Sequence, residues 1–244
     1  EPFRWSKTQL AWIESLIHSE LTVVMVARAN AKTTTAAAVG LWYLFDPPPG
    51  DHRPEVVVVA SSKAQAGGLY NSATAMVEAG PLDEMSFTFK DATAPYIMAD
   101  NGGRLLVRAP KPAQLQGLNT SLILLDELGA CSQNVFTTLV QSMGKRPSSR
   151  MLAAGTPLWS EGILHELKAQ ADAGELPPFV AFHDHSAPAT ADIDDRKAWK
   201  AANPVKAELD PKGWERSLEM QRATVPPAEF EIFNLSRFAD LRGD

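Results

Sequence analysis

Residues 26 to 45 read VARANAKTTTAAAVGLWYLF. Lys32 followed by Thr33, at the head of an alanine-rich helical pattern, matches the end of the phosphate-binding loop G-x-x-x-x-G-K-[ST]. The two glycines of that pattern are absent, and Val26 and Ala31 stand in their places. The chemistry on offer is the cradling of a phosphate chain. Backbone N–H groups along Arg28, Ala29, Asn30 and Ala31, and at the helix start formed by Lys32, Thr33 and Thr34, would point at phosphate oxygens. The helix dipole favours negative charge at the same place. The Lys32 ammonium would reach the β and γ phosphates of a nucleotide, and the Thr33 hydroxyl would go to Mg²⁺. Glycine serves such loops by adopting positive φ at no steric cost. Alanine is penalised there, so a working loop with Ala31 is expected to keep its φ values negative. On this stretch alone two readings stay open: a phosphate loop without glycines, or an ordinary helix start carrying a surface Lys-Thr pair.

A second group of residues bears on the choice. SLILLDE (121–127) is an apolar run closed by two acids. Asp126 at the end of a buried strand could hold Mg²⁺, directly or through water. Glu127 beside it could orient and polarise an attacking water. The acids follow the loop candidate by about a hundred residues, an order that strengthens both. GTP (155–157) closes another apolar run, so the Thr156 hydroxyl could sense a γ phosphate or couple it to movement. Gln9, ahead of the first apolar run, carries an amide that can read both donor and acceptor groups of adenine.

These residues need elements to hold them. Apolar runs at 21–27, 55–61, 103–109, 121–127, 150–157 and 178–186 read as strands, and helical patterns at 6–19, 33–44, 62–79, 133–143 and 161–173 alternate with them. The runs are near-continuous rather than alternating, as expected of strands buried on both faces. The pattern predicts an α/β domain with a mostly parallel sheet flanked by helices. Ligands bind such sheets at the carboxyl ends of the strands, where the loop and the acidic pair fall. From about residue 187 the chain turns polar, helical and proline-punctuated. The expected organisation is a core over 1–186 and a helical lid or linker over 187–244.

Composition sets the class. The 244 residues are 45% hydrophobic and 21% charged, which is globular rather than disordered. A net charge of −6 argues against nucleic-acid binding through overall charge, though not against a local basic face. With Cys131 as the one cysteine, no intramolecular disulfide can form, and a reducing compartment is expected. No signal peptide and no apolar run of membrane-spanning length is evident, so no membrane is expected. The chain opens at Glu1 without a Met and reads as a fragment.

With the loop, the acidic pair, the GTP segment and Gln9 in this order, the chain resembles the N-terminal ATPase domain of bacteriophage terminase large subunits, the DNA-packaging motors. ASSKAQAGGLYNSATAMV (60–77), AANP (201–204) and EFEIFNLSRF (229–238) are similar to segments of the same family. The family's phosphate loop often lacks its first glycine and carries an early basic residue, as Arg28 is here; it usually keeps a glycine before the lysine, where this chain has Ala31. The resemblance implies a P-loop NTPase fold of the ASCE type, with ATP and Mg²⁺ as cofactors. It implies hydrolysis that drives double-stranded DNA into a procapsid, with contacts directed at the DNA backbone. It further implies a homo-oligomeric ring on a portal protein, a small terminase subunit as partner, and the host cell cytoplasm rather than the mature virion as location. A metal-dependent nuclease domain would follow the last residue, and this chain alone should not cut DNA.

Ring motors often complete each site with an arginine from a neighbour. Among Arg104 and Arg108, around the 103–109 run, Arg108 is favoured for that role, and Arg28 for a phosphate contact within the same subunit. GKRPSSR (144–150) is either a contact for DNA phosphates or a solvated turn. His183 and His185 share one face of a strand but lack an evident third metal ligand. Asp192, Asp194 and Asp195 are expected to cap a helix. Two further readings stand beside the packaging motor: another P-loop translocase of helicase type, and a non-hydrolysing interaction domain with a degenerate loop.

Overall fold

A computed structural model describes residues 4–60, 62–91, 94–158 and 160–238. In chain order the elements are α1 (Lys7–His18), β1 (Leu21–Met25), α2 (Lys32–Phe45), β2 (Glu55–Ala60), α3 (Lys63–Glu78), β3 (Ser86–Phe89), β4 (Tyr96–Ala99), β5 (Arg104–Arg108), α4 (Pro112–Leu115), β6 (Leu122–Asp126), α5 (Gln133–Met143), β7 (Arg150–Gly155), α6 (Ile163–Ala173), β8 (Val180–Asp184), α7 (Arg196–Ala202), α8 (Pro204–Leu209), α9 (Trp214–Thr224) and α10 (Pro227–Leu235). The strands form a mostly parallel sheet flanked by helices, the expected class. Ser61, the end of the expected second strand and part of the segment quoted at 60–77, lies outside the described residues. Among the described residues no helix is long and apolar enough to cross a membrane.

The chain divides into two compact units: Glu1–Ala31 with Ala154–Asp244, and Lys32–Ala153. In the Lys32–Ala153 unit the strands run in the order β3-β4-β5-β2-β6-β7. β2 pairs in parallel with β5 on one side and β6 on the other. All five residues of β6 are buried, as are Val56, Val57, Val58, Val59 and Ala60 of β2. Such two-faced burial is what continuous Val and Leu runs supply. Helix α2 lies close against this sheet because residue 40 is glycine. A Cβ there would stand 2.8 Å from Leu124 Cδ1 and 3.2 Å from Leu105 Cδ1. β3 and β4 form an antiparallel hairpin that continues onto β5. It was not expected from the sequence, because its two strands are only four residues each and SFTF is broken by polar residues.

The other unit holds β1 paired in parallel with β8. Helix α1 starts with a reciprocal cap: Gln9 N donates to Ser6 Oγ, and Ser6 N donates to Gln9 Oε1, each at 3.0 Å. The proline-punctuated stretch after residue 186 forms α7 to α10. These helices gather Ala198, Trp199, Ala202, Trp214, Leu218, Phe230 and Leu235 into one buried cluster, and Ala27, just past β1, belongs to it.

Candidate functional site

In the Lys32–Ala153 unit, the start of α2 and the end of β6 come together. Lys32 is the first residue of α2 and only 8% exposed. On the next residue, the Thr33 hydroxyl donates to Asp126 Oδ2 at 2.9 Å. Asp126 closes β6 and is 7% exposed. Its other oxygen, Oδ1, accepts from the Glu127 backbone N–H at 3.1 Å. Glu127 turns the chain sharply, with φ 63° and ψ 52°. A hydroxyl and a carboxylate oxygen in mutual contact, beside the N-terminal end of a helix, are the ligand types that a Mg²⁺–phosphate group takes. Thr34 follows on the first turn of α2, half-buried.

Arg108 ends β5 at the same carboxyl edge. β2 lies between the two, aligning Val59 with Arg108 and Ala60 with Asp126. The Arg108 guanidinium donates from Nη1 to the Val107 carbonyl at 3.1 Å. Arg104 is exposed at the opposite end of β5.

The loop after β1 lies in the other unit, up to Ala31. Its backbone overturns one expectation: Ala29 has φ 59° and Ala31 has φ 54°. Both alanines take the left-handed region that glycine would occupy without penalty, and of the two Ala31 stands at a glycine position of the pattern. Arg28 is exposed, with its guanidinium carbon 3.4 Å from the centre of the Phe233 ring; its N–H donates to the Phe233 carbonyl at 2.8 Å. Asn30 is fully buried, and its side chain turns towards the helices rather than towards solvent. Asn30 Nδ2 donates to Ala27 O at 3.1 Å and to Asn203 Oδ1 at 3.1 Å. Asn30 can therefore serve a ligand through its backbone.

Thr156 follows β7 and is fully buried; its hydroxyl donates to the Val26 carbonyl at the base of the loop, at 3.4 Å. Gln9 is also fully buried, with its Oε1 committed to the cap of α1.

Other candidates from the sequence have structural partners. His183 Nε2 lies 2.8 Å from Ser15 Oγ, and His185 Nε2 accepts from Trp12 Nε1 at 3.0 Å. Both rings fasten β8 to α1. Burial lowers the pKa of each, and that of His185 falls to about 4, with the neighbouring His183 adding to the effect. Asp195 caps α7, accepting from Lys197 N, while Asp194 pairs with Arg222. In the 144–150 stretch Arg146 is a staple rather than a solvated cation: it bonds Asp51, Ser121 Oγ, Asn119 Oδ1 and the Arg53 carbonyl. Burial pushes the Cys131 thiol up to about 11, which keeps it protonated and unreactive.

Read as sequence, AANP and EFEIFNLSRF give no side chain a role. The structure singles out Asn203, Phe233 and Asn234 from those segments, all three bonded to the loop or to one another. An Asn directly before a helix-opening Pro, and an Asn inside an apolar helical run, were the available signals.

Comparison with known proteins bears on the whole of this arrangement. The family "Terminase large subunit, ATPase domain" matches residues 14–157. A terminase large subunit from Enterobacteria phage HK97 is 23% identical over 199 residues, spanning 80% of this chain and 39% of that protein. The HK97 large terminase crystal structure superposes with a TM-score of 0.84 at 21% identity, over 98% of this chain and 51% of that one. The large terminase ATPase domain of Thermus phage P74-26 gives 0.69 at 15% identity, over 97% and 95%. A large terminase from another thermophilic bacteriophage, solved in complex with ADP, gives 0.65 at 10% identity, over 96% and 54%. The chain thus spans about half the length, or less, of the full-length terminases it matches. On the extent of the family match, this chain belongs to the ATPase domain family of phage terminase large subunits.

Proposed function

We propose that this chain binds ATP with Mg²⁺ and hydrolyses it, and that the hydrolysis drives double-stranded DNA into a procapsid. The observation that carries the proposal is the 2.9 Å contact between the Thr33 hydroxyl and Asp126 at the head of α2. It joins the last residue of the loop motif to the first acid of the pair. The large terminase solved in complex with ADP supports nucleotide as the ligand class.

Each residue then has a task. Lys32, at the start of α2, neutralises the β and γ phosphates, while N–H groups from Arg28 to Thr34 cradle them. Thr33 and Asp126 would hold Mg²⁺, which when bound offsets charge on the phosphate oxygens. Glu127 orients the attacking water and takes its proton. Its left-handed backbone ends the extended run of β6 at this residue. Thr156, tied to the base of the loop, links the end of β7 to the loop's position. Arg28 takes a phosphate of the same subunit and Arg108 the site of a neighbouring subunit in a ring; for Gln9 to take adenine, its amide must leave the α1 cap and its buried position. Further partners of this reading are a portal protein, a small terminase subunit and the DNA backbone, with the host cytoplasm as the place of action. Binding to the DNA backbone would weaken with salt.

Family membership favours packaging over a helicase-type translocase. The interaction-domain reading draws on the two alanines at positive φ. Phosphate release with Mg²⁺-ATP separates it from the proposal, using wild type beside Lys32→Ala and Glu127→Ala. The proposal expects turnover by wild type, loss of binding in the first variant, and binding without turnover in the second. Equal phosphate release from all three proteins would contradict it.

A further inference from the structure

The left-handed alanines present a physical problem. Each is strained relative to glycine, and such residues persist only where surrounding contacts over-determine them. Asn30 lies between the two, fully buried, and its side chain makes those contacts. Nδ2 bonds the Ala27 carbonyl at 3.1 Å, which folds the loop back on its own start, and Asn203 Oδ1 at 3.1 Å. Oδ1 accepts from Lys206 N at 3.4 Å, in the first turns of α8.

Asn203 is itself fully buried and saturated. Its Nδ2 donates to the Trp199 carbonyl at 2.9 Å, closing α7, and to the Asn234 carbonyl at 2.8 Å, in α10. The Asn234 amide goes on to Gln221 Oε1 at 2.5 Å, in α9. Two helices therefore hold the Asn203 amide, a third braces one of them, and that amide meets the loop. A second, shorter tie runs through Arg28, bonded to the Phe233 carbonyl and stacked on its ring. An amide with every donor and acceptor met in a buried network has one low-energy placement, because a half-satisfied alternative leaves a buried polar group unpaired.

We infer that Asn203 is a positioning residue for the phosphate loop: through Asn30 it holds Ala29 and Ala31 at positive φ, so that α7 to α10 set the loop's shape. The inference concerns how the loop is held, and its bearing on affinity rests on the nucleotide reading above. Without the clamp, an alanine-bearing loop relaxes to negative φ and its N–H groups turn away from a common centre. A glycine-bearing loop has no such reason to relax.

The test combines two readouts on Asn30→Ala and Asn203→Ala, each made in the natural loop and in an Ala29→Gly/Ala31→Gly loop. Asn30→Ala removes the link together with Asn30's bonds to the Ala27 carbonyl and from Lys206 N, and leaves both Asn203 bonds to the helices, so it tests the clamp as a whole even if Asn203→Ala folds poorly. In the natural loop, NMR of ¹³C-labelled alanine reads φ at Ala29 and Ala31 from their Cα and Cβ shifts, without nucleotide. Wild type should show both at positive φ, and each clamp variant should move at least one of them towards negative φ. Mg²⁺-ATP affinity is the second readout. It should fall about tenfold or more in the natural loop and about threefold or less in the glycine loop. A role confined to helix packing would lower affinity equally in both loops and would overturn the inference. Unchanged alanine shifts in both variants would overturn it as well. If wild type binds no ATP while the alanine shifts respond as expected, the nucleotide reading fails and the clamp stands.

Discussion

The loop after β1 and the turn after β6 solve one problem in two ways. Both follow a strand buried on both faces, and both place a residue other than glycine at positive φ. At Glu127 the support is local: the preceding residue, Asp126, accepts its N–H. At Ala29 and Ala31 the support is remote, since Asn30 reaches a residue 173 positions away. Strain held by a neighbour survives most changes elsewhere in the chain. Strain held from a distance depends on everything that places the distant partner. The difference also suggests different purposes. Glu127 carries the side chain proposed for catalysis, so no glycine can stand there without losing it. The alanines carry nothing beyond a methyl group, and glycine could replace them without chemical loss.

The largest effects on turnover are at the turn, from changes to Asp126 or Glu127. Asp126→Ala removes the partner of Thr33 and a proposed metal ligand, and turnover should fall about a hundredfold or more. Phosphate release measures it, and a change of less than about threefold would remove Asp126 from the site.

A smaller effect, on stability, belongs to the unit that holds the loop after β1. His185 accepts from Trp12 only while neutral, and its pKa is depressed from 6.5 to about 4. As pH falls, the unfolded chain takes up that proton before the folded one does. The stability from this pair is therefore complete above pH 6.5 and is lost as pH falls towards 4. At about pH 5 the loss should be about 1–2 kcal/mol. His185→Gln keeps an acceptor without a titratable ring, so thermal unfolding at about pH 7.5 and about pH 5 should show a smaller drop for the variant. Parallel drops in the two proteins would contradict the assignment.

Next come the glycine replacements, which address the contrast directly. Ala31→Gly and Glu127→Gly each relieve a left-handed residue, and each should raise or hold stability within about 1 kcal/mol. Only Glu127→Gly should abolish turnover. If Ala31→Gly abolishes it as well, the alanine has a role beyond occupying space. The smallest effect is at the Arg28 stack. Phe233→Leu keeps the burial and removes the ring face, at a cost of about 0.5–1 kcal/mol by denaturant unfolding. A cost of several kcal/mol there would shift the main support of the loop from Asn203 to Arg28.

What could be read from the sequence follows the range of the forces involved. Strands such as LTVVM and LILLD announced themselves because burial on both faces demands unbroken apolar residues. Lys32, Thr33, Asp126 and Glu127 were legible as types in order, although the Thr33–Asp126 contact spans 93 positions. The β3–β4 hairpin was not legible, because strands of four residues with one exposed face lack that signal. The sign of φ at Ala29 and Ala31 was misjudged, because it is not a property of alanine. It is imposed by Asn30 and Asn203, and no local pattern encodes that pairing. Likewise Arg146, in a basic stretch, looked like a surface charge until Asp51 and Ser121 were brought beside it.

The central claim is that a loop with two alanines at positive φ binds nucleotide because it is held in shape. Calorimetric titration of Mg²⁺-ATP into wild type, beside the Ala29→Gly/Ala31→Gly protein, tests it most directly. The account predicts that wild type binds, with an affinity within about threefold of the glycine protein. Binding by the glycine protein with none by wild type would contradict it, and would show that the alanines have disabled the loop.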